Sequence, residues 1–475
     1  TLGEMLPDGR LVWRANFGTG QNNLETHAAY PGEQTPIVEP SAGDPILSGD
    51  GIDGAAGSAF LGSPSAIALN GSTMFVGNTN FSSAAPVDVP VGCNIWQYSG
   101  APLPADTPLR TYSQAGAEAY ANANGVPIVA GNGRQTQPAM TRIGDLYYVV
   151  FGINDTTLGG SGRPAIIVID AFYDVNSPGS FDGFTGAVHI LPPSGYRFVD
   201  HQATGGGSNV FENRHFDINA DGDIVALIES QQSVPSYAVV LYQAQKTGDV
   251  ITGYDAPITI ADAGPIDNVN DGLVGPILAD PNIPDSYINA ISGASINNRG
   301  NIAFTATYDT GIPIDPNDPN SATFWDTAAY FYAGSDGTLH QVLREYDTIQ
   351  SSYSGAPALL LGLIPQEGSD SFFGTSLADD ADVMAITFRA NPNDNVVRGV
   401  GVPSRGTAVI AVGHIGDVDL NGGVNLADLS ALLTGYGTSF LTQFYDPQAD
   451  FDLDGTIGLA DLSSLLTNFG LSVAP

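Results

Sequence analysis

ASINNRGNIAFTATY, residues Ala294 to Tyr308, decides the fold, because five other segments of the chain repeat its pattern. Gly300 is its anchor: an apolar Ile296 stands four residues before it, and Ile302, Phe304, Ala306 and Tyr308 alternate with polar or small residues after it. A period of two behind a glycine turn predicts a half-buried β-strand. The other anchors are Gly9, Gly71, Gly144, Gly222 and, with alanine in place of glycine, Ala381. Four residues before them stand Met5, Ile67, Met140, Ile218 and Leu377, and two after them Leu11, Thr73, Leu146, Ile224 and Val383. Only Thr73 interrupts this apolar column.

The anchors stand 62 to 81 residues apart (71−9 = 62, 381−300 = 81), too long for one hairpin and right for one small sheet. A second apolar run follows each anchor: His27 to Tyr30, Asn94 to Tyr98, Ala165 to Asp170, Tyr237 to Tyr242, Ala328 to Tyr332 and Thr407 to Val412. A third is visible at Leu339 to Asp347 and more faintly at Ala187 to Leu191. Several short strands per repeated unit predict a mainly β chain: a six-repeat β-propeller-like body over residues 1–412, followed by a small all-α domain over 413–475.

Of 475 residues, 50 are acidic and 14 basic, a net charge of −36, and Lys246 is the only lysine. Such a chain is repelled by nucleic acid and by anionic membranes, which excludes nucleic-acid partners; its excess carboxylates are expected to be a solvated surface. No apolar run reaches membrane-spanning length. Cys93, the single cysteine, can form no intrachain disulfide and reads as a buried structural thiol. The chain starts at Thr1, and its Gly, Pro, Asn and Asp content with scarce lysine points to a secreted, extracellular protein.

Two inserts interrupt the units, Asp174 to Gly186 and Ile314 to Asn320. Inserts of this kind lie on one face of a repeat array, where binding specificity is grafted, although Asp-Pro and Asn-Pro steps are also plain turn chemistry. A patch from Ala115 to Gly125 is helix-compatible but too short to signal a domain. His201, Glu212 and His215 could in principle hold a metal or move protons, yet a triple glycine at Gly205 to Gly207 separates them and the spacing matches no metal motif. No nucleophile elbow, phosphate loop or dinucleotide fingerprint occurs, so no catalytic and no cofactor-binding residue is assigned. In the sixth unit the third and fourth strands are missing after Val412, which leaves either an irregular closure or a gap filled by a neighbouring copy.

From Asp417 the text changes to DVDLNGGVNLADLSALLTGYG, and from Asp450 it reads DFDLDGTIGLADLSSLLTNFG, 33 residues later (450−417 = 33). A calcium loop takes oxygens from positions 1, 3, 5, 7 and 12 around a glycine at 6. Loop one offers Asp417, Asp419, Asn421, the Gly423 carbonyl and Asp428 about Gly422; loop two offers Asp450, Asp452, Asp454, the Thr456 carbonyl and Asp461 about Gly455. Two Ca2+ ions are therefore expected. Each loop runs into a helix with an apolar stripe: Leu426, Leu429, Leu432 and Leu433, or Leu459, Leu462, Leu465 and Leu466. A pair this short has little core, so metal binding should contribute much of its stability.

These loops resemble a type I dockerin over about Gly416 to Gly470, a duplicated half-EF-hand that closes each loop with Asp. The resemblance implies a calcium-dependent attachment module whose partner is a cohesin-like domain. Loop positions 10 and 11, which in that family often carry hydroxyl or charged residues, are here Leu426 and Ala427, and Leu459 and Ala460. The body is more loosely similar to secreted bacterial tandem-repeat proteins of INNxGxIAF type with propeller-like folds.

Two functions follow as expectations. The first is an extracellular, non-enzymatic structural or attachment protein, a homo-oligomer that self-assembles into filaments or a surface layer through its repeats and its calcium-stabilised tail. The alternative is a secreted polysaccharide-active enzyme, a glycoside hydrolase or lyase, or a glycan-binding propeller, recruited to a complex by the tail, with Tyr147, Tyr148, Trp96 and Trp325 as candidate sugar-groove aromatics.

Overall fold

The computed structural model describes residues 2–5, 11–16, 24–29, 44–48, 65–70, 73–80, 92–99, 108–131, 133–155, 164–172, 179–181, 184, 186–199, 215–231, 237–263, 287–313, 323–334, 337–344, 348–350, 357–362, 375–378, 383–390, 404–411, 416–418, 423–438, 449, 451 and 456–471. The chain is mainly β, with few helices and a propeller-like arrangement of antiparallel sheets.

Each repeat unit builds one sheet, and the described anchor turns, at Gly144, Gly222 and Gly300, each join the two strands that flank them. In the second sheet, Ser65–Asn70, Thr73–Asn80, Gly92–Ser99 and Arg110–Ser113 follow one another in order. The third runs Ala139–Ile143, Leu146–Asp155, Pro164–Phe172 and Val188–Ile190, with Gly133–Gln135 paired to the far end of Leu146–Asp155. The fourth places Phe216–Ile218 and Tyr196–Phe198 along Ile224–Ser230, then Tyr237–Tyr242 and Ile258–Ala263. The fifth runs Tyr287–Ile296, Ile302–Pro313, Thr323–Ala333 and Thr338–Arg344. The first sheet has the same order in Leu2–Met5, Leu11–Asn16, Leu24–Ala29 and Asp44–Ser48. In the last unit Thr375–Leu377 and Pro357–Gly362 both pair with Val383–Ala390, which Ser404–Ala411 flanks on its other side. Among the described residues no further strand follows Ser404–Ala411, and Thr348–Gln350 and Pro357–Gly362, from before the anchor, make this a five-stranded sheet.

The strands that follow Gly144, Gly222 and Gly300 are buried on both faces rather than on one. Leu146, Tyr148 and Val150 pack into a core shared with the fourth sheet, while Val149, Phe151 and Ile153 pack into a core shared with the second. A sheet stacked between two others has no solvent face, so its strands carry apolar residues at consecutive positions. This corrects the half-buried expectation: the alternation seen after Gly300 separates two cores, one with Ile302, Phe304 and Ala306 and one with Ala303.

The anchor motif has a double use. The Asn297 side-chain oxygen accepts from the Arg299 and Asn301 amides, and Gly300 N–H donates to the Asn297 carbonyl. Asn219 repeats this with Asp221, Asp223 and Gly222. Gly222 and Gly300 take φ of 85° and 76°, the left-handed region open to glycine at no steric cost. The free amide of Asn219 then donates to the Asn297 carbonyl, and Asn298 accepts from the Ala220 amide, so one unit's turn is tied to the next.

Candidate functional site

Two glutamines lock the second and third sheets together. Gln137 forms a reciprocal amide pair with the backbone of Thr79, and Gln135 accepts from Cys93 N–H while donating to the Tyr112 carbonyl. All five side chains are buried. Cys93 is inert: burial pushes its thiol up to about 12.

Between these sheets lies a cluster of charge and aromatic rings. On Pro164–Phe172, Ile167 and Ile169 face the fourth sheet, so the alternate residues Val168, Asp170 and Phe172 face the second. Asp170 is thereby carried into an apolar interface, 3% exposed. Arg110 Nη2 stands 3.5 Å from Asp170 Oδ2, with the guanidinium 4.9 Å above the Tyr112 ring. Burial pushes the Asp170 carboxyl up to about 6, and the Tyr112 hydroxyl and the Arg110 charge offset part of that rise.

The helix Gln114–Ala123 adds Tyr120. Ser113 caps the helix by accepting from Gly116 N–H, and buried Glu118 accepts from the Gly131 and Gly133 amides, which fixes the following loop on the helix. The Tyr120 hydroxyl donates to the Ala187 carbonyl and lies 3.3 Å from His189 Nδ1. The insert predicted between Asp174 and Gly186 is more than turn chemistry. Its segment Gly179–Phe181 pairs in parallel with Arg110–Tyr112 of the neighbouring sheet. Phe184 then meets Tyr120 at 5.1 Å, Tyr112 at 5.8 Å and Phe151 at 6.1 Å between ring centroids. Tyr112 and Phe151 are fully buried and form the floor; Tyr120, Phe184 and His189 are half-buried and form the rim. Sequence reasoning missed this cluster, whose members come from a strand, a helix, an insert and a second sheet.

The sequence-predicted residues fare differently. His215 accepts the Gly293 amide at its Nδ1, and Asp217 accepts from Ser295 Oγ at 2.6 Å and from Ile296 N–H, so this polar pair joins neighbouring inner strands. His201, Glu212 and the Ile314 to Asn320 insert lie outside the described residues. Trp96 and Tyr148 are core residues, 1% and 3% exposed, which removes them as groove aromatics; the Trp325 side chain is outside the described set. Tyr147 is half-buried, stacked on Phe172 beneath Arg142.

In the C-terminal stretch Leu426–Gly435 and Leu459–Asn468 are helices, with Val418, Val424, Leu432, Ala449, Ile457 and Leu465 as a separate core. The two halves exchange equivalent backbone bonds: Val424 with Leu471 and Gly470, and Ile457 with Thr438 and Gly437. Asp428 accepts from Asn425 N–H and Asp461 from the Phe451 and Gly458 amides. Asp417, Asp428 and Asp461 are buried, yet residues 416–475 contain no Lys or Arg. Buried carboxylates in a stretch without side-chain cations leave their charge to be balanced by backbone amides or by a bound cation. Asp419, Asn421, Asp450, Asp452 and Asp454 lie outside the described residues. Among the described residues no group of three acidic, His or Cys side chains forms a metal cluster, and no helix is long and apolar enough to cross a membrane.

No family model matches the chain, and no curated protein matches its sequence. Among solved structures, an arabinanase from Bacillus subtilis is 13% identical, covering 75% of this chain and 95% of its own at a TM-score of 0.32. A Hadza microbial sialidase is 11% identical over 77% of this chain and 70% of its own, TM-score 0.34. A GH43 enzyme from Xanthomonas citri is 11% identical over 74% and 89%, TM-score 0.31. Each bears an enzyme's name. These enzyme neighbours run against the expectation of a non-enzymatic, self-assembling structural protein, which is corrected. These likenesses assign no residue and no chemistry to this chain.

Proposed function

We propose that this is an extracellular polysaccharide-active protein: a propeller-like body that cleaves a glycan, and a dockerin-like tail, clamped by two Ca2+ ions, that attaches it to a cohesin-like or polysaccharide partner. Six sheets closing in a ring are part of this reading. It is supported by the contact of Leu2–Met5 with both Ser65–Asn70 and Thr375–Leu377, which brings the first and last units together.

The observation that carries the polysaccharide reading is the half-buried aromatic rim of Tyr120 and Phe184 beside His189, since an aromatic face suits the apolar face of a sugar ring. Asp170, buried with Arg110 beneath this rim, belongs to its floor and is not exposed to a substrate. In the tail, Asp417, Gly423 and Asp428, and Thr456 and Asp461, would hold calcium with Asp419, Asn421, Asp450, Asp452 and Asp454; the ion's charge would balance the buried carboxylates.

The test is reducing-end release by purified full-length chain from a panel of plant, algal and bacterial polysaccharides. Turnover by the wild type is expected, and no release from any polysaccharide would overturn the reading.

A further inference from the structure

Three half-buried groups, Tyr120, Phe184 and His189, surround the outer side of the interface that holds Asp170, and the first two are rings without a charge of their own. We infer that the rim formed by Tyr120 and Phe184 is a sugar-ring subsite that takes neutral glycans and rejects uronate or sulfated ones; this rests on the polysaccharide-active reading above.

Three observations carry it. The Phe184 ring leans on a floor of Tyr112 and Phe151, both fully buried, so its own position is held and its partly exposed side stays presented. A rigid aromatic face matches the apolar face of a pyranose, and binding then costs little side-chain entropy. Tyr120 is fixed by its bonds to Ala187 and His189, which turns its ring toward Phe184 at 5.1 Å.

The second observation is where Phe184 comes from. The insert leaves the third sheet, lends Gly179–Phe181 as a fifth strand to the second sheet, and returns to Val188–Ile190 of its own. Closing this sheet edge needs no aromatic ring at position 184; the ring is placed over the seam of two sheets, beside the residue whose hydroxyl faces Asp170.

Charge supplies the third. The chain carries −36 with one lysine, and a negative surface lowers the local concentration of polyanions while leaving neutral chains unaffected. Arg110, the cation of this cluster, is committed to Asp170 and to the face of Tyr112, so it is not available to a sugar carboxylate.

Affinity electrophoresis of the full-length chain tests this in low salt, with xylan, galactomannan and mixed-linkage glucan as neutral gels and alginate and polygalacturonate as anionic ones. Retardation in at least one neutral gel and in neither anionic gel is expected, with Phe184→Leu weakening it about tenfold. Phe184→Leu keeps the apolar bulk and removes the flat face; a matched thermal melt shows that it folds, and Ile258→Ser at an exposed strand end of the fourth sheet serves as control. Equal retardation in alginate, unchanged binding by Phe184→Leu, or no retardation in any neutral gel would each overturn the subsite. Retardation without bond cleavage overturns the catalytic reading alone. Cleavage by Phe184→Leu at wild-type KM overturns the subsite alone.

Discussion

Asn219 Nδ2 donates to the Asn297 carbonyl oxygen at 3.0 Å across 78 residues, the spacing between their anchors. The same asparagine whose oxygen shapes its own turn uses its amide to register the next unit. Asn219→Asp keeps the accepting oxygen and loses the donor; Asn219→Ala loses both. Each lost bond to a buried group costs about 1 kcal/mol, and a stranded buried acceptor about 1–3. Denaturant melts should therefore rank wild type above Asn219→Asp and that above Asn219→Ala; equal stability of all three would show that the turn is not a joint between units.

Gly144 has a second reason to be glycine. Its φ is 58°, and a Cβ there would lie 2.1 Å from Asp249 Oδ2, on a hairpin whose backbone the Tyr148 hydroxyl grips through Asp249 and Ile251. Gly125 has φ of 81° with nothing within 4 Å. Gly125→Ala should cost roughly 1–2 kcal/mol, the left-handed penalty alone. Gly144→Ala should cost that penalty and a little more, because the exposed Asp249 carboxylate must turn aside on its own side chain, and urea melts of the two variants compare them directly.

Asp170 sets a pH dependence whose sign can be worked out. Its folded value is raised from 3.8 to about 6, so between those values the folded chain keeps a proton that the unfolded chain has released. This group's contribution to stability therefore falls as pH rises through that window, by on the order of 3 kcal/mol in total. Asp170→Asn should flatten the melting temperature against pH between 4 and 6 relative to wild type. An unchanged profile would place the titration elsewhere.

Calcium should raise the melting temperature of the tail helices, followed by circular dichroism in the full-length chain with and without chelator. Asp428→Ala with Asp461→Ala should abolish that rise. Both residues also accept helix-start amides, so the variant will lose about 1–2 kcal/mol even in chelator; only the calcium-dependent part tests metal binding.

Much of the fold was legible locally. The period of two after each glycine, the apolar residue four before it, and the 33-residue duplication of the tail are properties of neighbouring residues, so strands such as Tyr237–Tyr242 and the helix starts at Leu426 and Leu459 could be placed directly. The INN asparagines were visible as turn formers; their bond to the next unit was not.

What the amino-acid order alone determined is the repeating strand, its turn and the acidic tail loops, because backbone preference and side-chain alternation act over a few residues. Only the tertiary structure decided that Asp170 meets Arg110, that Phe184 crosses to the neighbouring sheet, and that Trp96 and Tyr148 are core. Those outcomes depend on which faces of separate sheets stack together, and a sheet with two buried faces looks the same in sequence whichever neighbour covers it.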